Sequence, residues 1–372
     1  MTSSVLNRPP MRPLHPSPGV IRIAVLFSEL SGYVRACLAA LRARHGAEVL
    51  VIHWPVADEA PFAEADGWAD AVYSKRGRTP AELLALLEVF APKGILMSGW
   101  IDRDYLQLAR HYRQRGVPVI AGTDTPWRGT IRQRAATLAA PRMLHSAIDT
   151  LWVAGDRQRD FARRLGFAGE RCLSGFYACD WDRFATAYAR RDPAAPPAFL
   201  FVGRYHPDKG LDDLLSAYAR YRADAADPWP LVCAGAGPLK LHLASVPGVV
   251  DLGFVQPDDL PELMARAAAF VLPSRHEPWG VAIQEAAATG LPLLCSTACG
   301  ATTSLLQDGY NGFLVEPGVP EQLAGQLSRL AALTAAERQS MGDRSHDLSR
   351  QFTPDRWADT LVRGIAALRT TP

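Results

Sequence analysis

The chain has 372 residues, of which 48% are hydrophobic and 21% charged, and its formal net charge is +2 at pH 7. This length accommodates two domains of ordinary size, and the composition is that of a soluble globular protein. The small net charge gives no indication of a nucleic-acid partner, and none is predicted. Because no run of about 18 apolar residues occurs, no membrane span is predicted either.

The N-terminal segment and the cysteines indicate a cytoplasmic protein. Residues 1–19 hold five prolines and no apolar stretch of the signal-peptide kind, so we expect a disordered tail. The six cysteines, at positions 37, 172, 179, 233, 295 and 299, form no C-x-x-C pair and no metal-ligand spacing. Reduced thiols and no cysteine-based metal site are therefore expected.

Strands alternate with helices through the first half, which predicts a doubly wound parallel sheet. In chain order we expect strand 20–27, a helix ending near residue 44, strands 49–53 and 71–73, helix 80–90, strand 94–97, helix 105–115, strand 117–121, helices over 130–148, strand 150–153, helix 157–165 and strand 171–174. Residues 20–185 are assigned to this N-terminal domain. Residues 186–198, which include Pro193, Pro196 and Pro197, are assigned to a linker.

The alternation resumes after the linker and defines a second domain over residues 199–352. Its predicted elements are strands 199–203, 231–234, 249–254, 269–272 and 313–315, with helices 211–222, 260–266, 302–306 and 321–333. Residues 353–372 form a terminal segment. It contains an amphipathic helix with Trp357, Leu361, Ile365 and Leu368 on one face.

The second domain is organised around residues 269–296. A buried strand leads into a loop with Glu277, then into a short helix with Glu285 and another buried strand. Such a loop lies at the C-terminal edge of the strands, where open α/β sheets bind ligands. The helix opens with Gly280, Val281 and Ala282. Free N–H groups there suit a phosphate, and the two carboxylates can accept paired hydroxyls at two points of one elongated ligand.

Two cations follow the strand predicted at 199–203. Arg204 comes directly after Gly203, and Lys209 lies five residues further on. Parallel strands end at one edge of their sheet, so both cations should reach the crevice where the helix after Glu277 begins. Two positive charges and a helix N-terminus that converge in this way make a diphosphate site.

These residues resemble the signature of the retaining family 4 glycosyltransferases. Glu277 and Glu285 form its E-x7-E, followed by EP-x-G after the first glutamate and by EA-x-A-x-G-x-P after the second. Gly203 and Lys209 belong to the matching GR…KG segment, and residues 253–255 match GFV. The resemblance implies the GT-B fold, an α/β architecture of two Rossmann-like parallel-sheet domains with a cleft between them and a C-terminal helix crossing back to the first domain.

The resemblance also implies a donor and a set of roles. The donor would be a nucleoside-diphosphate sugar, with UDP favoured and GDP next, and neither a cofactor nor a metal would be required. Arg204 and Lys209 would hold the diphosphate and stabilise the leaving group, Glu277 would hold the transferred sugar, and Glu285 the ribose. The remaining donor-binding residues would be Gly32, Gly203, Gly253, Phe254, Val255, Pro278, Trp279, Gly280, Val281 and Ala282.

The N-terminal domain supplies fewer motifs. Its first strand–helix loop has only Gly32, whereas a dinucleotide fingerprint needs G-x-G-x-x-G, so NAD and FAD are disfavoured. Gly32 is either a reduced glycine-rich loop or a tight turn.

Asp124 stands where the family has a functional histidine, and is either a catalytic or hydroxyl-orienting group or the N-cap of the next helix. Asp180 and Asp182 form a D-x-D that we interpret as structural and remote from the site.

The acceptor is expected to be a hydroxyl of a saccharide, a lipid-linked sugar or a small molecule. Residues 100–146 contain eight arginines and three acids, a face that could dock peripherally on an anionic membrane, bind an acceptor with a phosphate or uronate, or simply be solvated. Two alternatives remain open. One is a sugar-nucleotide 2-epimerase, and the other is a non-catalytic nucleotide-sugar binder, favoured by the missing histidine and by Ser304 where the family often has glutamate.

Overall fold

A computed structural model of the chain describes residues 20–28, 30–55, 67–192 and 194–370. They form two parallel β-sheets flanked by helices, one sheet in each half of the chain. The tail predicted over residues 1–19 lies outside the described residues. The strands are short apolar runs, and β1 (Arg22–Phe27) is buried along its whole length, as expected for a sheet covered on both faces.

The N-terminal sheet has seven strands in the order β3-β2-β1-β4-β5-β6-β7. Its strands are β1, β2 (Glu48–His53), β3 (Ala71–Ser74), β4 (Gly94–Met97), β5 (Val119–Thr123), β6 (Thr150–Val153) and β7 (Cys172–Ser174). Its helices are α1 (Gly32–His45), α2 (Pro80–Phe90), α3 (Arg103–Arg113), α4 (Ile131–Met143), α5 (Asp156–Arg164) and α6 (Trp181–Tyr188). The strand order reverses between β1 and β4, which opens a crevice at the C-terminal edge.

The C-terminal sheet has six strands in the order β10-β9-β8-β11-β12-β13. They are β8 (Phe199–Val202), β9 (Leu231–Ala234), β10 (Val249–Asp251), β11 (Ala269–Leu272), β12 (Leu293–Ser296) and β13 (Gly312–Val315). The helices are α7 (Leu211–Asp224), α8 (Lys240–Leu243), α9 (Leu260–Ala265), α10 (Val281–Ala288), α11 (Thr302–Leu305), α12 (Pro320–Ala332), α13 (Ala335–Ser349) and α14 (Pro354–Thr370). Here the order reverses between β8 and β11.

The last helix, α14, returns to the N-terminal half. The Trp357 indole stacks on Trp152 with ring centroids 5.0 Å apart and 28° between the planes. Its Nε1–H donates to the Phe176 carbonyl at 2.8 Å, and the Arg44 guanidinium at the end of α1 lies 2.7 Å from Asp359. The two parallel sheets and this crossing helix confirm the predicted fold class.

Several elements differ from the sequence prediction. Strand β5 starts at Val119 because Pro118 has no N–H and the Val117 N–H donates to Tyr112 at the end of α3. Strand β10 ends at Asp251 rather than 254, since the backbone of Gly253 turns to a φ of 66°.

Two helices were missed. Helix α6 runs to Tyr188 and so enters the segment predicted as linker, 186–198. Helix α13 was not predicted, although Thr334 and Glu337 form the capping box that begins it.

Candidate functional site

Lys209 and Glu277 meet at the C-terminal edge of the second sheet, after β8 and β11 respectively. Lys209 ends a short 3-10 turn, Pro207–Lys209, which Gly210 terminates in the left-handed region at a φ of 68°. A Cβ atom at position 210 would lie 2.2 Å from the Pro273 carbonyl oxygen. Only glycine therefore lets this turn pack against the strand end that leads to Glu277.

The Lys209 ammonium and the Glu277 carboxylate form an ion pair. Their side chains are 14% and 11% exposed, so the pair is largely shielded but still reachable from the crevice. Such a charge-assisted contact holds both groups in one place although 68 positions separate them in the chain. The predicted meeting of these two residues is therefore present in the structure.

Helix α10 begins directly beside Glu277. Gly280 precedes it in the left-handed region at a φ of 100°, and a Cβ there would lie 3.1 Å from the Glu277 Cγ. As the first residues of the helix, Val281 and Ala282 have N–H groups with no intrahelical acceptor. Two amides and the positive end of the helix thus lie next to the ion pair, an arrangement suited to a phosphate.

Glu285 lies further along α10 and is half-buried. Burial, and then the negative charge of Asp180, raise the pKa of Glu285 to about 7 from its ordinary value of 4.5. This proximity corrects the interpretation of the D-x-D segment as remote from the site. Asp180 directly precedes α6 and lies close enough to Glu285 to act on its charge, and burial likewise raises the pKa of Asp180.

The shift at Glu285 predicts a dependence of stability on pH. Because the folded chain holds this proton up to about pH 7 and the unfolded chain only to about 4.5, the contribution to stability is complete below pH 4.5 and is lost as pH rises through 7. Glu285→Gln should therefore gain stability relative to the wild type between pH 5 and pH 8, by up to about 3 kcal/mol.

Urea denaturation of both proteins at the two pH values measures that difference. Glu262→Gln, at an exposed position on α9, is the matched control and should show no such change with pH. An equal stability difference between Glu285→Gln and wild type at pH 5 and pH 8 would show that Glu285 keeps its ordinary pKa.

The loops after β8, β9 and β10 lie side by side at the same edge. The Gly235 N–H donates to the Gly253 carbonyl at 2.7 Å, and a Cβ on Gly235 would lie 1.9 Å from the Gly203 carbonyl oxygen. Gly203 and Gly253 are thus brought together, with Phe254 and Val255 following at intermediate exposure. The Arg204 guanidinium is exposed at this edge and has no hydrogen-bond or ion-pair partner among the residues that the structure describes.

The N-terminal half contributes Asp124, which directly follows β5. The Tyr177 hydroxyl donates to its Oδ2 at 3.1 Å. Burial is the main cause that raises the pKa of Asp124, and the negative charge of Glu277 adds to it, so the two carboxyls are close enough for their charges to interact. The alternative role as an N-cap is wrong, because α4 begins after Thr130, whose hydroxyl accepts from the Gln133 N–H at 3.3 Å.

Gly32 also reaches the opposite half. It opens α1, and a Cβ there would lie 3.3 Å from the Cβ of Pro257, in the loop that follows Gly253. The single glycine thus marks a close approach of the two halves beside the predicted donor site. This observation favours the interpretation of Gly32 as a reduced glycine-rich loop over that of an isolated turn.

Gln158 on α5 joins the two halves at the site and was not predicted. Its Nε2 group donates to the Asp124 carbonyl at 3.1 Å and to the Pro278 carbonyl at 2.7 Å, and the residue is 1% exposed. One side chain therefore holds the backbone next to both acids. A glutamine on a polar helix gives no signal in the sequence, so only the docking of the halves identifies it.

Trp279 differs from its predicted role. Its indole is 2% exposed, and it packs at 5.5 Å, edge to face, on Phe352. A Cβ on Gly155 would lie 2.5 Å from the same ring. The side chain is therefore a core contact between the halves, and a donor can reach only the backbone at this position.

No three His, Cys, Asp or Glu side chains within the described ranges form a group that could hold a metal ion. In the same part of the chain, none of the helices is both long enough and apolar enough to cross a membrane.

Comparison with known proteins agrees with this geometry. The family described as glycosyl transferases group 1 matches residues 196–332. D-inositol 3-phosphate glycosyltransferase of Geodermatophilus obscurus is 30% identical over 290 residues, which are 72% of this chain and 63% of that protein. Alpha-D-kanosaminyltransferase of Streptomyces kanamyceticus is 29% identical over 191 residues, 47% of this chain and 49% of that protein. The chain spans less than two thirds of the length of these relatives.

Solved structures show the same fold at low identity. Anabaena HepE in complex with UDP superimposes with a TM-score of 0.73 at 16% identity, over 93% of this chain and 100% of that one. Sucrose-phosphate synthase from Thermosynechococcus elongatus gives a TM-score of 0.68 at 19% identity, over 93% and 99% of the chains. Two parallel-sheet domains with charged groups at facing strand edges define a protein of the GT-B class. Residues 196–332 match the glycosyl transferases group 1 family, which confirms the resemblance found in the sequence.

Proposed function

We propose that this protein is a retaining glycosyltransferase that moves a sugar from a nucleoside-diphosphate sugar, with UDP favoured, to an acceptor hydroxyl. The observation that carries the proposal is the shielded Lys209–Glu277 pair beside the first amides of α10, with Asp124 of the other half close enough to act on the charge of Glu277. The names of the relatives support a sugar-transferring role. The UDP complex of HepE supports the choice of nucleotide.

Donor binding would exchange the partners of the ion pair. Lys209 would turn to the diphosphate together with Arg204 and the amides of Val281 and Ala282, and Glu277 would accept hydrogen bonds from the transferred sugar. The negative charge that develops on the departing diphosphate would be neutralised by these preorganised groups, without a metal ion. Glu285 would hold the ribose hydroxyls, and the loop of Gly253, Phe254 and Val255 the base.

Asp124 would act on the acceptor side of the cleft. Its carboxyl is held by Tyr177 and lines a pocket, where a hydroxyl of the acceptor or of the reacting sugar would hydrogen-bond to it. In a retaining reaction the acceptor attacks on the face that the diphosphate leaves, and a departing phosphate oxygen takes the hydroxyl proton. Closure of the two halves over both ligands would exclude water and limit hydrolysis of the donor.

A binding and product experiment tests this function. UDP at about 100 times its Kd should stabilise the folded chain by about 2.7 kcal/mol, whereas uridine, which has no diphosphate, should not. Incubation of a UDP-sugar with a panel of hydroxyl acceptors should give a product with the donor's anomeric configuration. An epimerised sugar nucleotide formed without acceptor would indicate an epimerase instead, and tight UDP binding without any product would indicate a non-catalytic binder.

We also propose a cytoplasmic location with peripheral contact to anionic membranes through α4. This helix has no acidic residue, and Arg132, Arg134 and Arg142 are exposed on it. Ile131 and Leu138 are 87% and 84% exposed on the same helix. Exposed aliphatic side chains among arginines suit the interface of a bilayer with negatively charged lipids.

Sedimentation with lipid vesicles tests this contact. The protein should bind vesicles that contain phosphatidylglycerol more than pure phosphatidylcholine vesicles, and salt should weaken the binding. The double variant Ile131→Ser, Leu138→Ser should bind less, while Val89→Ser, at a position that is 77% exposed on α2, should bind as the wild type does. Equal binding by both variants would refute a role for α4.

A further inference from the structure

A second pocket lies between the two halves, on the side of Glu277 that faces the start of α5. Its volume is about 390 Å³, and its lining includes Trp127, Arg128 and Arg157 from the N-terminal half and Arg275, His276 and Pro278 from the other. A pocket of this size accommodates a small organic molecule rather than a single ion. Its walls hold three arginines and a histidine against two acids, Asp160 and Glu277.

Most of the charges around this pocket are already paired. Asp160 lies 3.0 Å from Arg164, Glu277 pairs with Lys209, and Arg275 lies 2.7 Å from Asp213. The two remaining cations are Arg128 and Arg157. Positive charge is therefore left over at one place between the domains, next to the acid that is proposed to hold the reacting sugar.

Arg128 and Arg157 have no acidic partner among the described residues. The Arg128 Nη2 contacts the His276 ring and lies 2.8 Å from its Nε2, so its neighbour is an imidazole rather than an acid. Arg157 is half-buried, and its guanidinium has no hydrogen-bond or ion-pair partner within the described part of the chain. Guanidinium groups without acidic partners are expected to attract a negatively charged ligand, because a planar guanidinium binds phosphate or carboxylate with two parallel hydrogen bonds.

We infer that this pocket binds a phosphate monoester on the acceptor, so that the acceptor is a phosphorylated sugar or polyol. Two guanidinium groups without acidic partners match a phosphate monoester, which has a charge near −2 at neutral pH. Arg204 and Lys209, the proposed diphosphate ligands, do not line this pocket. The inference rests on the proposed function, because only in a glycosyltransferase does a second substrate bind beside Glu277.

Calorimetric titration of the full chain with D-glucose 6-phosphate, inorganic phosphate, D-glucuronate and D-glucose tests the site. The two phosphates should bind, glucuronate should bind more weakly than glucose 6-phosphate, and glucose should not bind measurably. Arg128→Gln and Arg157→Gln should each weaken binding of inorganic phosphate about 10- to 100-fold, the effect of losing one charged hydrogen-bond partner. Arg157→Lys should retain part of the affinity, since it keeps the charge.

Arg163→Gln is the matched control, because Arg163 is an exposed arginine on α5 outside the pocket lining. Its phosphate affinity should equal that of the wild type. Equal losses of phosphate affinity in Arg163→Gln and Arg157→Gln would show that only the net charge of the protein matters. That result would overturn the site. Tighter binding of glucuronate than of glucose 6-phosphate would overturn the assignment to phosphate.

A competition experiment separates this inference from the proposed function. UDP should bind equally well with the pocket occupied by inorganic phosphate, and Arg157→Gln should leave UDP affinity unchanged. Competition between phosphate and UDP, with a loss of UDP affinity in Arg157→Gln, would place these arginines in the donor site and overturn the inference. Absence of UDP binding, with phosphate binding still dependent on Arg128 and Arg157, would refute the transferase proposal and leave only an anion site.

Discussion

Replacing Lys209 with alanine is expected to lower kcat about 100- to 1,000-fold, the cost of removing one preorganised group that stabilises charge in a transition state. Lys209 is the shielded cation that pairs with Glu277 beside the first amides of α10, where the proposed diphosphate departs. Lys209→Arg should recover part of the rate, since the charge is kept while its position changes. Steady-state kinetics with a UDP-sugar, or with the donor that thermal shifts select, measure the effect.

Lys93→Ala serves as the control for that variant. Lys93 is exposed at the end of the helix–strand connection that leads into β4, away from the crevice, and its loss should leave kcat unchanged. Circular dichroism of Lys209→Ala should show the native fold, so that a loss of rate reports on chemistry. A kcat within twofold of the wild type in a folded Lys209→Ala protein would exclude Lys209 from the reaction.

Trp357→Ala is expected to cause the largest loss of stability, about 3 to 5 kcal/mol, as for other buried aromatic residues truncated to alanine. The indole is buried, stacks on Trp152 and donates its N–H to the Phe176 carbonyl at 2.8 Å. Truncation would leave a cavity under α14 and an unpaired carbonyl, because neither neighbour can fill the space. Urea denaturation followed by circular dichroism measures the loss.

The matched control for Trp357→Ala lies one residue earlier on the same helix. Arg356 is exposed, and Arg356→Ala should change stability by no more than about 0.5 kcal/mol. If Trp357→Ala and Arg356→Ala unfold at the same urea concentration, α14 contributes little to the stability of the N-terminal half. The contact of α14 with α1 and with the core around Trp152 would then be incidental to folding.

Much of the fold could be predicted from patterns that are local in the chain. Apolar runs of four to six residues, such as 22–27 and 269–272, alternate with helical periods, and this alternation specifies parallel sheets. The predicted elements were wrong where a single residue or a weak pattern did not follow the strand or helix periodicity. Pro118 shifted the start of β5 to Val119, Gly253 ended β10, and the weak amphipathic character of α13 concealed that helix despite its capping box.

The sequence identified Lys209, Glu277 and the start of α10 as one site, because parallel strands must end at a common edge. It could not indicate that Asp180 approaches Glu285, that Gln158 joins the backbones beside Asp124 and Pro278, or that the Trp279 indole is buried between the halves. These contacts depend on how the two halves dock and on which way each side chain points. Both are set by packing between residues far apart in the chain, for which a local pattern contains no information.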